Sequence, residues 1–384
     1  MSKELPRLIE SGQIIEARDI LKPLKQIDYS LNLLYIAAEY NRKSLILMIL
    51  NRCNVVNSSR YSHETPLQVA YRNKHVDFMT ALIAHANQLG IQIDVPANIF
   101  NFAIENENER LINLILDSGV DPNEVDKKGR NALHIAALKG CSLPLFKRIL
   151  EEINDVNTVG SDNWTALHWA VFNNHPAIAK ALINHPGIDV NVQDRDKRTA
   201  LMIAESNNQL DIVKELMNHP RIDVNVQNYD GTTALMIAAA NNHPAIAKAL
   251  INHPGIDVNT VDNNRWTALM WAARNNQLDV VISLMNHKDI DLNVQERYNN
   301  TALHVAVANN HPAIVSQLLS DDKIDASLKH TSGQTPLSLA KSLKHTDIEK
   351  LLLEKKPSLF GNFFSKKRPG GESKNTSKFA VLKY

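Results

Sequence analysis

The chain has 384 residues, with 42 Lys and Arg against 41 Asp and Glu, 44% hydrophobic and only 5% aromatic side chains. A formal charge of +1 argues against a protein that coats nucleic acid along its length, and no apolar run approaches the ~20 residues that a bilayer crossing needs. Two cysteines, Cys53 and Cys141, are too few to staple such a chain, which fits a reducing, cytoplasmic setting.

Residues 1–31 begin with Lys3, Glu4, Arg7 and Glu10 and no apolar signal core, so no secretory leader is expected. Leu5 to Leu21 reads as a pair of capping helices, with Gly12 aligned on Asn41 of the stretch that follows. From Asn32 the chain repeats itself. The phase residue recurs at Thr65, Asn98 and Asn131 in steps of 33, then at Thr165, Thr199, Thr233, Thr267, Thr301 and Thr335 in steps of 34. Ten repeats therefore occupy residues 32–354, and self-similarity at such a period decides the architecture before any local reading does.

The repeat that begins at Thr165 shows the internal grammar. Thr165 is placed to cap a short helix with its hydroxyl, and Leu167 and Ala170 give that helix an apolar face. Asn173-Asn174 ends it, because Asn tolerates the left-handed conformation better than other residues with a side chain. Pro176 suits the first turn of a second helix, where Ile178, Leu182 and Ile183 supply the buried stripe. Pro186 closes that helix, and Gly187-Ile188-Asp189-Val190-Asn191 leads out through turns. A longer period of 68 is superimposed: the Thr165 and Thr233 repeats share Asn-Asn-His-Pro-Ala-Ile-Ala-Lys-Ala-Leu-Ile, and the Thr199 and Thr267 repeats share Asn-Asn-Gln-Leu-Asp. This pattern speaks of duplication in pairs.

The motifs Asn131-Ala-Leu-His134-Ile-Ala136, Thr165-Ala-Leu-His168-Trp-Ala170 and Thr301-Ala-Leu-His304-Val-Ala306 approximate Thr-Pro-Leu-His-x-Ala. Asp-Val-Asn follows at Asp189, Asp223 and Asp257, and Asp-Leu-Asn at Asp291. On these residues the chain resembles an ankyrin-repeat protein over roughly residues 5–354. The period also suits tetratricopeptide repeats, but their Trp, Gly-Tyr and Ala-Phe-Pro positions are absent. The chain departs from the ankyrin pattern by carrying Asn where Gly usually separates the two helices, and by one extra residue in the His-Pro-x-Ile-Asp-Val-Asn exit. The expected fold is an all-α ankyrin-repeat solenoid of ten to eleven helix-turn-helix units with hairpin tips.

The resemblance implies a protein partner held on the concave face, at the hairpin tips just before each Thr and at the exposed end of each first helix. Those positions hold Trp164, Phe172, Arg195, Asp196, Arg198, Tyr229, Trp266, Arg274, Arg297 and Tyr298. Trp, Tyr and Arg most often dominate interface energetics; the plainer reading is that Trp and Tyr cap hairpins by packing on the neighbouring tip. Trp169 and Trp271, one helical turn inside, are assigned to the core.

Thirteen of the fifteen histidines fall on the repeat schedule, at three, ten or twenty residues after the phase residue. By the resemblance, those three residues on hydrogen-bond neighbouring backbone and help fix adjacent units. A column of equivalent imidazoles stands about 10 Å apart in a stack, whereas a metal needs ligands converging within about 2.3 Å, so no metal site is expected. Cys141 and Cys53 read as packing residues, His63-Glu64 lacks the second His of a zinc-protease motif, and no glycine-rich phosphate loop is present. No catalysis, cofactor, small-molecule substrate or specific nucleic acid is expected, and the protein should act as a monomer.

Residues 355–384 differ in kind, with eight Lys and Arg against one Glu, leaving residues 1–354 near −6. Gly, Pro, Ser and Asn in this tail discourage a stable fold. Its Leu359-Phe-Gly-Asn-Phe-Phe364 run before Lys366-Lys-Arg368 suits contact with an anionic membrane or a nuclear-import-like role. The layout is also similar to that of ankyrin proteins that bacterial pathogens deliver into host cells with a C-terminal export signal.

Overall fold

The computed structural model describes residues 4–22, 32–51 and 64–354. Cys53, His63 and the basic tail of residues 355–384 lie outside the described residues, where every regular element is a helix. The chain divides into two compact parts, Met1–Tyr229 and Asp230–Tyr384.

In the first part the helices come in pairs: Glu4–Ser11 with Ile14–Leu21, then Leu33–Glu39 with Ile46–Leu50, Pro66–Arg72 with Val76–Leu89, and Ala97–Glu105 with Glu109–Asp117. Ala132–Lys139 with Leu143–Glu151, Ala166–Phe172 with Pro176–Ile183, and Ala200–Ser206 with Leu210–Met217 complete it. In the second part the pairs are Ala234–Asn241 with Pro244–Ile251, Ala268–Arg274 with Leu278–Met285, and Ala302–Ala308 with Pro312–Leu319. Pro336–Leu343 and the helical residues 346–354 follow. Within each part, first helices stack on first helices and second helices on second helices of the next repeat.

Local chemistry explains where each first helix starts. The Thr165 hydroxyl accepts the His168 amide, while His168 Nδ1 accepts the Thr165 amide at 3.2 Å, a reciprocal cap. Asn131 and Thr301 build the same box with His134 and His304. Thr199, Thr233 and Thr267 have Met three residues on and keep only the hydroxyl half of it. Two phase residues behave differently: Asn32 is itself left-handed and caps nothing, and Asn98 lies inside a helix that Pro96 precedes.

Nine residues after the phase residue, every repeat turns through a left-handed residue. Asn41, Asn174, Asn208, Asn242, Asn276 and Asn310 do so with φ between 54 and 62°, Gly140 with φ 75°. Lys74, Glu107 and Lys344 take the same conformation, although none has the local side-chain hydrogen bonding that eases it for Asn. Pro176, Pro244 and Pro312 then open second helices in the first turn, where their missing N–H costs nothing.

Leu167, Ala170, Ile178, Leu182 and Ile183 are all buried, and their counterparts recur in register. Fully burying one such side chain contributes roughly 1.5–3 kcal/mol relative to leaving it exposed. A single pair of short helices covers too little of its own apolar face, so each repeat depends on its neighbours for a core.

An asparagine ladder ties the exits of successive repeats. Asn157 Nδ2 donates to the Gly187 carbonyl at 2.9 Å and its Oδ1 accepts the Asp189 amide at 2.7 Å. Asn123 and Asn191 repeat the arrangement in the first part, Asn259 and Asn293 in the second. Of the histidines twenty residues after the phase residue, His185, His219, His253 and His287 use Nδ1 to accept the amide two residues on, as His185 does from Gly187 at 3.2 Å, while His85 lies inside the helix Val76–Leu89. This bond shapes the lengthened exit and gives that column of imidazoles a structural task.

Candidate functional site

The ten candidate residues fall in two groups, one in each compact part. In the first part, the hairpin before Thr165 lays the Trp164 ring against Trp169 at 4.5 Å and edge-on to Phe172 at 5.2 Å between centroids. Such tilted aromatic pairs contribute beyond their buried area. Phe172 stays 54% exposed and borders an open groove of about 620 Å³ with Pro176, Asn208 and Leu210.

On the next hairpin, Arg195 reaches Asp162 at 3.7 Å and Arg198 binds the buried Asp194 with Nε at 3.0 Å. Arg198 is thus half committed to holding its own turn. Asp196 is exposed and lends its carbonyl to the Tyr229 amide at 2.9 Å, while the Tyr229 side chain is left 73% exposed.

In the second part, Trp266 packs on Trp271 at 5.0 Å, and the Arg274 guanidinium lies 5.6 Å from both ring centroids. Arg297 and Tyr298 project from the following hairpin; the Tyr298 carbonyl accepts the Thr331 amide at 2.9 Å and its ring is 66% exposed. The structure therefore joins Trp164 with Phe172, Arg198 with Asp196, and Trp266 with Arg274. It corrects one reading. Trp169 and Trp271 are half-buried rather than core, because each forms the floor beneath the tip Trp. Both tip Trp rings rest on the inner Trp of their own repeat's first helix.

Histidine chemistry is inward-facing. His168 Nδ1 accepts from Thr165, and its Nε2–H points at the Arg198 carbonyl at 3.4 Å, which defines a neutral tautomer. His134 and His304 make the corresponding links to the Thr158 and Gln334 carbonyls at 2.9 and 3.3 Å. Burial pushes His168 down to about 4 and lowers His134 and His304 as well. Burial likewise pushes the Cys141 thiol up to about 11, which leaves it unreactive at neutral pH. Among the described residues no three His, Cys, Asp or Glu side chains converge on a point that would hold a metal.

Two features escaped the sequence. The ladder asparagines sit in exits that read only as turns. The second is a column five residues before the phase residue, where Asp126, Asp194, Asp262 and Glu296 fold back on their own hairpin amides; its signal was the recurring acid in an otherwise variable tip.

Paired helices stacked in register, with tips that present aromatic and charged side chains, define a helical-repeat recognition scaffold. The family model described as ankyrin repeats (3 copies) matches residues 100–194, 187–262, 254–330 and 289–362, and the chain belongs to the ankyrin-repeat family. It is 29% identical over 124 residues to a putative ankyrin repeat protein of Rickettsia bellii, covering 32% of this chain and 17% of that one. It is 32% identical over 107 residues to the putative ankyrin repeat protein FPV223 of fowlpox virus, covering 28% of this chain and 74% of that one. The chain spans between 6% and 21% of the length of the first curated relatives it matches. Among solved structures, the ankyrin repeat domain of Bcl-3, a member of the IkappaB protein family, is similar with a TM-score of 0.54 and 27% identity. That match covers 59% of this chain and all of the Bcl-3 chain. Ankyrin repeats generally mediate protein–protein interaction and are typically non-enzymatic modules.

Proposed function

We propose that the protein is a non-catalytic adaptor that holds a protein partner on its hairpin tips and first-helix ends. The observation that carries this reading is the placement of scarce aromatics. In a chain with 5% aromatic residues, Phe172, Tyr229 and Tyr298 are more than half exposed at those phases. Trp164 and Trp266 stand at the same phases on preformed aromatic floors, which lowers the cost of ordering them on binding. Arg195, Asp196, Arg198, Arg274 and Arg297 surround the rings with mixed charge, a pattern suited to choosing a partner rather than to binding any anion. On this reading the adaptor works in the cytoplasm as a monomer, without cofactor or small-molecule substrate.

The test is to identify the partner by affinity purification from the native cell and to measure its affinity for the W164A/W266A double variant by calorimetry. Loss of binding with unchanged helical circular dichroism is expected; unchanged affinity would remove the assignment. A second role rests on the charge of residues 355–384, about +7 by sequence: an address for export into a host cell, for an anionic membrane or for the nucleus. A reporter fused to that segment should relocate or bind anionic vesicles, and one that does neither leaves the adaptor alone.

A further inference from the structure

In four repeats a carboxylate closes the hairpin. Asp126 Oδ1 accepts the Lys128 and Arg130 amides at 2.8 and 2.9 Å, and Asp194 Oδ1 those of Asp196 and Arg198 at 2.9 and 2.7 Å. Asp262 Oδ1 accepts the Asn264 and Trp266 amides, both at 2.8 Å, and Glu296 Oε1 those of Tyr298 and Asn300 at 2.9 and 3.1 Å. Asn228 and His330 stand at this position in two other repeats, whereas Gly160 leaves it bare. The Asp162 and Trp164 amides, which a side chain there would receive, find no acceptor among the described residues.

A third donor points to the same gap. Trp271 Nε1, three repeats' length onward, donates to Asp262 Oδ2 at 3.3 Å, while its counterpart Trp169 Nε1 is buried with no hydrogen-bond partner. An indole N–H left unmatched in this way costs about 1–3 kcal/mol. Beside it lies a cavity of about 50 Å³ bordered by Lys128, Arg130, Gly160, Asp162, Trp164 and Trp169, room for a group of about one to two waters' volume.

Charge favours an anion there. Arg130 is paired with Asp126 at 2.7 Å and Asp162 with Arg195 at 3.7 Å, which leaves the Lys128 ammonium as the excess charge at the mouth. We propose that the Gly160 hairpin is a socket for the carboxylate of an Asp or Glu side chain of a protein partner. That carboxylate takes the place Asp262 holds in its own repeat, one oxygen on the Asp162 and Trp164 amides and the other on the Trp169 indole. The source of the carboxylate rests on the adaptor reading; the socket does not.

Indole ¹H–¹⁵N spectra at pH 7 test it, with Trp169→Phe assigning the resonance and the peptides Ac-Gly-Asp-Gly-amide and Ac-Gly-Asn-Gly-amide as probes. The Trp169 resonance should move downfield and saturate with the Asp peptide, while Trp271, already bonded, stays in place. The Asn peptide should bind at least about fivefold more weakly, the equivalent of one charge-assisted bond. Gly160→Asp should bring the Trp169 resonance close to that of Trp271 and abolish its response. If that variant does not fold, Trp169→Phe carries the test through weakened Asp-peptide binding read on the Trp164 indole. A Trp169 resonance that stays still, or moves equally with both peptides, overturns the socket. No cellular partner is used, so failure here and failure of the double-variant test are separate events.

Discussion

The stretches around Trp164 and Trp266, residues 160–174 and 262–276, differ at seven of fifteen positions, and three of those differences bear on the tryptophan pair. Both set a tip Trp over a second Trp one helical turn inside, with centroids 4.5 and 5.0 Å apart. Gly160 stands where the other has Asp262, His168 where it has Met270, and Phe172 where it has Arg274. The shared residues fix the ring pair; these three substitutions change what surrounds it. Around Trp266, Asp262 meets the hairpin amides and the Trp271 indole from within, and Arg274 lies over the rings. Around Trp164 the polar end is open and the outer face is apolar. Repetition thus builds the same platform twice and finishes only one, and the unfinished one is where an outside group gains most.

Acid should break the comparison most strongly. Burial holds His168 at about 4 in the folded protein against 6.5 ordinarily, so the unfolded chain binds more protons between those values. The stability tied to keeping His168 neutral is complete above pH 6.5 and drains away as pH falls through 4, by about 3 kcal/mol in all. Met270 carries no such liability. His134 and His304 are lowered in the same direction, so the discriminating experiment compares wild type with His168→Met. Between pH 7 and 4.5 the urea midpoint of the variant should fall markedly less; equal falls would show that His168 is not the group titrating.

Removing Asp262 should turn the finished hairpin into the unfinished one. Asp262→Ala strips the acceptor from two backbone amides and one indole, and water at the rim recovers only part of the loss. A destabilisation of about 2 kcal/mol is expected from the usual cost of orphaned buried donors. Urea unfolding measures it, and a change below about 0.5 kcal/mol would mean that these bonds are already shared with solvent.

Much of this was legible in the sequence, and the physical reason is periodicity. A spacing of 33 or 34 residues forces equivalent positions into equivalent environments, so Thr165 as a cap, Pro176 in a first turn, Asn174 as a left-handed stop and Ile178 in the core could each be read from several repeats at once. What could not be read depends on contacts between repeats or on single departures from the pattern. Lys74, Glu107 and Lys344 turn left-handed because the stack on either side dictates the turn, against their own preference. Asn157 is one polar residue among many until Gly187 and Asp189 are brought beside it. Trp169 looked like core by phase; the short helix leaves that phase at the rim, where an indole is too large to hide. Gly160 gave no signal at all, since an absent side chain is visible only against the four carboxylates that fill its column.

The two inner tryptophans offer a sharper, smaller contrast. Trp271→Phe deletes a bonded N–H and leaves Asp262 Oδ2 short of a donor, for a loss of about 1 kcal/mol. Trp169→Phe deletes an N–H that has no partner, so its cost should be close to zero or slightly favourable, the lost polar group offsetting the lost ring area. Thermal melts of the pair would read the difference, and equal losses would show that packing alone sets both values.

Arg274 should give the smallest effect. Its guanidinium lies 5.6 Å from both ring centroids, near the outer limit of a useful cation–π contact, and it is exposed to solvent. Arg274→Ala is expected to cost about 0.5 kcal/mol, with little dependence on salt because the partner is a quadrupole rather than an ion. Arg274→Phe makes the outer face of the second cluster like that of the first, and edge-on packing onto Trp266 should return about the same amount. Chemical denaturation at low and high salt separates the two contributions: a cost for Arg274→Ala that vanishes in high salt would assign the residue to surface charge rather than to the rings beneath it.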